Sequence, residues 1–308
     1  MNKFGIAIHG GAGNETPFLT AHLKEYEASL QEALQIGYDI VKAGGAALDA
    51  VQAAVMNLED NPLFNAGRGS ALDAKGEIEM DAAIMDGREV AAGAVSMVRY
   101  VKNPILLART IMSKTKHVFL SGYGALEFAK INELSLEPES YFVTDHEYAI
   151  FLNDSKDAEL QHTMEKKVYG STGTVGAVAL DQAGNIAAAT STGGISNSLP
   201  GRIGDSCVIG AGCYANNRNC AVSGTGIGEI LITDVIAHTI AMSVEFKQYP
   251  LQKACDYVIL ERDRPKQGSI GVIAIDKAAN IGISFSSEIM KRAWMTSEQA
   301  QPQVKIYP

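Results

Sequence analysis

The sequence predicts an α+β fold in which sheets of small-residue strands are covered by layers of helix. Three observations carry this expectation. Leu23 to Val41 and Ala46 to Leu58 place apolar residues at spacings of three and four, the period of a helix with one buried face. Ala71–Ile78, Val178–Ile186 and Ile273–Ile281 share a second design: an apolar run ends in Asp, a Gly/Ala/Asn turn follows, and another run begins. These read as antiparallel hairpins and not as crossover units. Grouping of the helical stretches between strands of this kind implies sheets with helical covers.

In chain order, Phe4 to Ile8 is the first strand and His9-Gly10-Gly11-Ala12-Gly13 a glycine-rich turn after it. The first helix stops at Gly44-Gly45, and an alanine-rich helix restarts at Ala46. The Asp73 hairpin follows. From about Asn153 to Tyr169 the chain is polar, charged and without periodicity, which predicts a loop or disordered linker ending at Gly170-Ser171-Thr172-Gly173. The Asp181 hairpin comes next, then helices over Gly226–Val244 and Leu251–Leu260, then the Asp276 hairpin. Neither half looks self-sufficient, since both supply strands of one kind. The expectation is a single catalytic domain, 1–308, divided by its linker.

Composition excludes several classes. With 308 residues, 46% hydrophobic and 20% charged, the chain has the make-up of a soluble globular protein with one large core. A formal net charge of −9 without a Lys/Arg block argues against a nucleic-acid partner. No apolar run approaches the roughly 20 residues of a membrane span. The first strand begins almost at once, leaving no room for a signal peptide, so a cytoplasmic location is expected. Cys207, Cys213, Cys220 and Cys255 form no Cys-x-x-Cys pair and have no histidine cluster nearby. Buried free thiols are the better reading, over a metal site or disulfides.

The most informative stretch is Gly173-Thr174-Val175-Gly176-Ala177-Val178-Ala179-Leu180-Asp181, which puts a threonine at the mouth of an apolar strand. A threonine hydroxyl is a poor nucleophile without a neighbouring base, and its own α-amine can be that base. The amine exists only if the Gly173–Thr174 bond is cut. Read alone, these residues also allow an ordinary loop-to-strand junction. A freed α-amine, with a reference pKa of about 7.7–8.0, suits general-base work near neutrality.

The chain resembles the plant-type L-asparaginase/isoaspartyl peptidase family of N-terminal-nucleophile hydrolases. The resemblance rests on His9–Gly13, Asn61–Gly67, Met80–Gly87, Gly173–Asp181, Ala187–Gly194, Pro200–Ser206, Gly210–Ala215 and Val222–Glu229, in family order and over nearly the whole chain outside the linker. It implies a four-layer αββα sandwich and autocleavage at Gly173–Thr174 into an α subunit, 1–173, and a β subunit, 174–308. Two such pairs would form a dimer of αβ heterodimers. The implied activity is hydrolysis of β-aspartyl (isoaspartyl) dipeptides and of the side-chain amide of L-asparagine, with Thr174 as nucleophile. Glycosylasparaginases share this logic but usually carry Asp-Thr at the cut. A non-processing amino-acid-binding relative is the alternative from another class.

The resemblance also assigns roles. It sets the Thr192 hydroxyl beside the nucleophile; the residues alone would not favour Thr192 over Thr190. It makes Asn65 the residue facing Thr174, and packs the Gly10-Gly11 turn against the scissile region. It implies no organic cofactor and a structural sodium ion, held by main-chain carbonyls of Leu58, Glu59, Asn61, Phe64, Ala66 and Arg68. Arg202 and Asp205, three apart in a Gly/Pro-bounded loop, read either as a local ion pair or as a clamp for the α-carboxylate and α-ammonium of an aspartyl unit. Gly224-Thr225-Gly226-Ile227-Gly228 is expected to open a helix. Its free amides and the Thr225 hydroxyl would then face the oxyanion, with Thr225, Gly226 and Gly228 at the substrate. The Gly-x-Gly-x-Gly spacing and the lack of an acidic residue ending a second parallel strand count against a dinucleotide loop.

Overall fold

Two sheets organise the described residues, 2–156, 173–262 and 268–308 of this computed structural model. In chain order the elements are β1 (Gly5–Gly13), α1 (Pro17–Ala21), α2 (Leu23–Lys42), α3 (Ala47–Glu59), β2 (Met80–Asp86), β3 (Ala91–Val98), α4 (Pro104–Lys114), β4 (Phe119–Ser121), α5 (Gly122–Ile131), α6 (Glu139–Phe142) and α7 (Asp145–Lys156). They continue as β5 (Val175–Leu180), β6 (Ile186–Thr192), β7 (Cys213–Ala215), β8 (Cys220–Gly226), α8 (Gly228–Thr233), α9 (Ile236–Lys247), α10 (Leu251–Asp256), β9 (Ile270–Asp276), β10 (Ile281–Phe285), β11 (Ile289–Thr296) and β12 (Gln303–Lys305). An eight-stranded sheet runs β12-β11-β1-β5-β6-β2-β3-β4, and a four-stranded sheet runs β10-β9-β8-β7. Every pairing is antiparallel except that of β3 with the edge strand β4.

Strand alternation sorts the core into two clusters. Ile6, Ile8, Ala177 and Ala189 pack with Leu30 and Leu34 of α2 and Val51 and Val55 of α3. Their neighbours Ala7, Val178 and Ala188 belong to the other cluster, with Val222 of β8, Ile273 of β9, Ile240 of α9 and Leu251 of α10. Successive side chains of a strand point to opposite faces, so the central strands of the large sheet are buried on both. That explains their near-continuous runs of small apolar residues.

The three Asp-ended turns form as one device. Asp73, Asp181 and Asp276 each accept on Oδ1 from the main-chain N–H groups two and four residues on, at 2.8–3.0 Å. Asp181 also accepts the Ala47 N–H at 3.1 Å and so holds the start of α3 to the turn. Only two of the turns join strands. The residues flanking Asp73 are not in a sheet, and the next strand begins at Met80. The turn chemistry is right there, but the partner strand is missing.

Other expectations need correction. The His9–Gly13 stretch is not a turn after β1. It is the end of β1, whose pairing with β11 shifts register between His9 and Ala12. The helix expected over Gly226–Val244 is two helices, α8 and α9, separated at Asp234 and Val235, where Val235 has φ of 48°. The helix from Leu251 passes after Asp256 into a π-turn, Tyr257–Glu261. The linker expected from Asn153 begins as the last turn of α7; its remaining residues, with Ser171 and Thr172, lie outside those described. All four cysteines are buried and unpaired, as expected. No helix among the described residues is long and apolar enough to cross a membrane.

Candidate active site

Thr174 stands one residue before β5, and Thr192 ends β6, the neighbouring strand. Both are buried, and their hydroxyl oxygens are 3.5 Å apart. Thr192 donates to the carbonyl oxygen of Gly173 at 3.1 Å and accepts the Gly194 N–H at 3.1 Å. Asn65 supports this corner from behind. Its amide donates to Gly194 O at 2.7 Å, its side-chain oxygen accepts from Ala71 N at 2.9 Å, and a β-carbon on Gly173 would stand 3.1 Å from Asn65 Cβ.

Gly11 closes the other side of the Gly173–Thr174 bond. It has φ of +103°, and a β-carbon there would lie 3.0 Å from Gly173 Cα and 3.3 Å from Thr174 N. Only glycine allows both the conformation and the approach. Lys291 reaches the same spot, its Cε 3.6 Å from that β-carbon position. Burial pulls its ammonium down to about 8, against the opposing pull of Glu147.

A narrow cleft opens from Thr174. Gly173, Thr192, Gly194, Ile195, Arg202, Gly204, Asp205 and Gly226 complete its lining. The structure therefore gathers the expected nucleophile, its hydroxyl neighbour and both clamp residues around one space. Arg202 and Asp205 are not a local surface ion pair. Arg202 directs Nε and Nη2 to Glu229 Oε1, at 3.0 and 2.9 Å. Asp205 is buried, and its Oδ2 has no hydrogen-bond partner among the described residues. Burial pushes its carboxyl up to about 7, opposed by the Arg202 guanidinium and assisted by Asp81 and Glu229. Asp81 is raised to about 6 by burial, although it accepts from Gly204 N and Met97 N. A buried carboxylate lacking a partner beside a fixed guanidinium suits an ammonium and a carboxylate held side by side.

The glycine-rich segment differs from expectation. Gly224 to Gly226 belong to β8 and do not open a helix; the helix begins at Gly228. Two of the expected amides are spent, Gly224 N on Gly212 O and Ile227 N on Ser269 O. Thr225 lies just behind the cleft, and its Oγ1 accepts from Ala12 N at 3.1 Å. Gly228 lies outside the lining but is required by it: a β-carbon there would stand 2.8 Å from Arg202 Nη2 and 3.0 Å from Asp205 Oδ1.

The loop after α3 carries the six carbonyls expected to hold a cation. Those of Leu58, Glu59, Asn61 and Phe64 each accept one N–H from within the loop, at 2.7–3.3 Å, and keep a second lone pair. At Gly69, with φ of +101°, a β-carbon would stand 2.7 Å from Phe64 O and 2.8 Å from Pro62 O. One of the six expected oxygens, Phe64 O, thus borders Gly69 beside Pro62 O, and main-chain carbonyls are donors of the kind a hard cation takes. Among the described residues no group of three His, Cys, Asp or Glu side chains could hold a metal ion.

Sequence reasoning missed His9, which touches Thr174: its Nδ1 lies 2.9 Å from Thr174 O. A polar residue between apolar neighbours in a strand was the available signal. Glu229 was also missed as the partner of Arg202.

A family model described as Asparaginase matches residues 2–305. The chain is 44% identical to the isoaspartyl peptidase of Salmonella typhimurium, with 96% of each chain covered. It is 43% identical to that of Escherichia coli, over 96% of this chain and 93% of the relative. It is 40% identical to the isoaspartyl peptidase/L-asparaginase of Danio rerio, again over 96% and 93%. With a family match over residues 2–305 and 40–44% identity to these relatives, this chain belongs to the asparaginase family that includes those isoaspartyl peptidases.

Proposed function

We propose that this chain is a threonine-nucleophile hydrolase of isoaspartyl dipeptides and of the side-chain amide of asparagine, matured by cleavage between Gly173 and Thr174. The observation that carries the reading is the Thr192 hydroxyl, which contacts both Gly173 O and Thr174 Oγ1 at the head of a cleft ending in Arg202 and Asp205.

In processing, Thr174 Oγ1 attacks the Gly173 carbonyl carbon while Thr192 donates to the developing oxyanion. The C–N bond breaks, the nitrogen takes a proton, and an ester joins Gly173 to the Thr174 oxygen. Water hydrolyses the ester and leaves residues 1–173 and 174–308, with a free α-amine on Thr174. That amine then accepts the hydroxyl proton in each turnover. Arg202 takes the substrate α-carboxylate, Asp205 its α-ammonium, and the β-carbonyl is presented to Thr174. Gly226, at the end of β8, lines the cleft where the tetrahedral oxyanion would form, and Thr225 backs it. Asn65 orients the corner through Gly194.

The same reading includes the four-layer αββα arrangement, supported by the two sheets and the helices packed with each core cluster. A sodium ion in the loop after α3 is supported by the family resemblance and by the main-chain carbonyls of Leu58, Glu59, Asn61 and Phe64, which keep a lone pair each; it would brace the loop that carries Asn65. A dimer of αβ pairs and a cytoplasmic location rest on the family resemblance. Intact-mass analysis of purified protein tests maturation: a new N-terminus beginning Thr174-Val175-Gly176 is expected. A Thr174→Ala chain that cleaved there unaided would overturn it.

A further inference from the structure

His9, Gly176 and Thr190 stand in register on three adjacent strands, His9 opposite Gly176 on β1 and β5, and Gly176 opposite Thr190 on β5 and β6. A β-carbon on Gly176 would overlap Ser223 Oγ and stand 2.5 Å from His9 Nε2. The gap in the row is therefore filled from the other sheet by Ser223 of β8. Its hydroxyl lies 2.9 Å from His9 Nε2 and 2.7 Å from Thr190 Oγ1, while Thr190 also donates to Gly212 O at 3.0 Å. The far end of this chain abuts the clamp, because a β-carbon on Gly212 would overlap Asp205.

Proton accounting fixes the direction of the two His9 contacts. A carbonyl only accepts, so His9 Nδ1 carries the proton that goes to Thr174 O. Burial pulls the imidazole down to about 3, so the ring is neutral at working pH and Nε2 only accepts. Ser223 is then the donor to Nε2, with Ala189 O at 3.3 Å a second acceptor near the same hydroxyl, while the Thr190 proton is shared between Gly212 O and Ser223 Oγ. Every member of the row is fully buried, so none can exchange its partner for water.

We propose that His9 is a positioning residue of the nucleophile: it pins the Thr174 main-chain carbonyl, and Ser223 at its other ring nitrogen locks the tautomer that lets it do so. The inference rests on Thr174 being the nucleophile. Pinning this carbonyl fixes the peptide plane after Thr174, and with it the directions in which the amine and the hydroxyl leave Cα. His9 touches neither substrate nor reacting atoms; it acts from behind.

Steady-state kinetics on β-Asp-Leu with processed protein test this through three substitutions at one position. An asparagine amide reaches the place of Nδ1, and a glutamine amide the place of Nε2. His9→Ala should lose about 10- to 100-fold in kcat with KM within about threefold, as expected for a misplaced reacting group. His9→Asn should recover most of that loss, and His9→Gln should not. Equal kcat for the Asn and Gln variants, a loss confined to KM, or parental kcat in His9→Ala would overturn the proposal. A variant that processes slowly is read by its rate of cleavage at Gly173–Thr174, where the same order is expected. If His9→Ala does not fold, Ser223→Ala replaces it, leaving the contact to Thr174 O without its lock. Its kcat should fall at constant KM, and a parental kcat there overturns the lock. Thr174→Ala run alongside should be inert; activity in that protein would sink the nucleophile assignment and not the role of His9.

Discussion

The Thr192 hydroxyl lies 3.1 Å from Gly173 O and 3.5 Å from Thr174 Oγ1, so one side chain meets both the electrophile and the nucleophile of the proposed cleavage. Removing one preorganised oxyanion donor costs about 10²–10³ in rate. Thr192→Val should therefore slow conversion of the full-length chain to two fragments by about that factor, while Thr192→Ser keeps the donor and most of the rate. A denaturing gel time course reads both. Parental processing in Thr192→Val would remove Thr192 from the mechanism.

The clamp separates recognition from processing, since cleavage needs no external substrate. Arg202 holds one edge to Glu229 and sits among the carboxylates of Asp81, Asp205 and Glu229. Arg202→Leu should leave cleavage at Thr174 intact. It should lower kcat/KM for β-Asp-Leu and for asparagine by about a hundredfold, the ~3 kcal/mol of a lost charge-assisted contact. Arg202→Lys should recover part of this, because an ammonium lacks the planar fork. A processed Arg202→Leu protein with near-parental efficiency would exclude the proposed binding mode.

Asp205 gives the clamp a pH dependence with a definite sign. Its carboxyl titrates near 7 in the free protein, raised chiefly by burial, so below that pH it is protonated and cannot pair with an ammonium. Affinity for L-aspartate should fall as pH drops below about 7, approaching tenfold per unit, and level off above it. Calorimetric titration from pH 5.5 to 8.5 measures this. Asp205→Asn should bind weakly with little pH dependence; a parental protein whose affinity is flat across that range would contradict the assignment.

Local chemistry was legible in the sequence, and partnership was not. The Asp73, Asp181 and Asp276 turns could be read because each is closed by its own next residues. Whether a turn joins two strands depends on a partner elsewhere, and Asp73 has none. The glycine-rich 224–228 segment looked like a helix opening because its residues permit one. The pairing of β8 with β9, set by Ser223 opposite Ile273 and Gly226 opposite Ile270, decides otherwise. Thr174 is legible as a threonine after glycine at the mouth of an apolar strand, Arg202 and Asp205 as opposite charges three apart, and Thr192 only through the family resemblance; the four meet around one cleft. The bond from Arg202 to Glu229 and that from His9 to Thr174 join residues 27 and 165 positions apart, beyond any local pattern.

Glu59 links the loop after α3 to the strand bearing Thr192, and it should make stability fall as pH rises. Its carboxylate is fully buried, accepting from Ser191 Oγ at 2.6 Å and Ile105 N at 3.0 Å. Burial outweighs those bonds and raises the carboxyl from 4.5 to about 8. The folded chain therefore holds this proton more tightly than the unfolded chain does. The resulting stability is fully present below about pH 4.5 and is lost as pH rises through 8. Above that, an ionised carboxylate must be kept in the core beside Ser191, the residue before Thr192. Glu59→Gln retains an acceptor for Ser191 and Ile105 but carries no charge. Its melting temperature, compared with the parent in a Thr174→Ala background to keep one covalent chain, should match within a degree or so at pH 5. At pH 8.5 it should exceed the parent by roughly 2–4 °C or more, the shift that ~1 kcal/mol produces in a protein of this size class. A Gln variant no more stable than the parent at pH 8.5 would mean that Glu59 ionises in the folded state without cost.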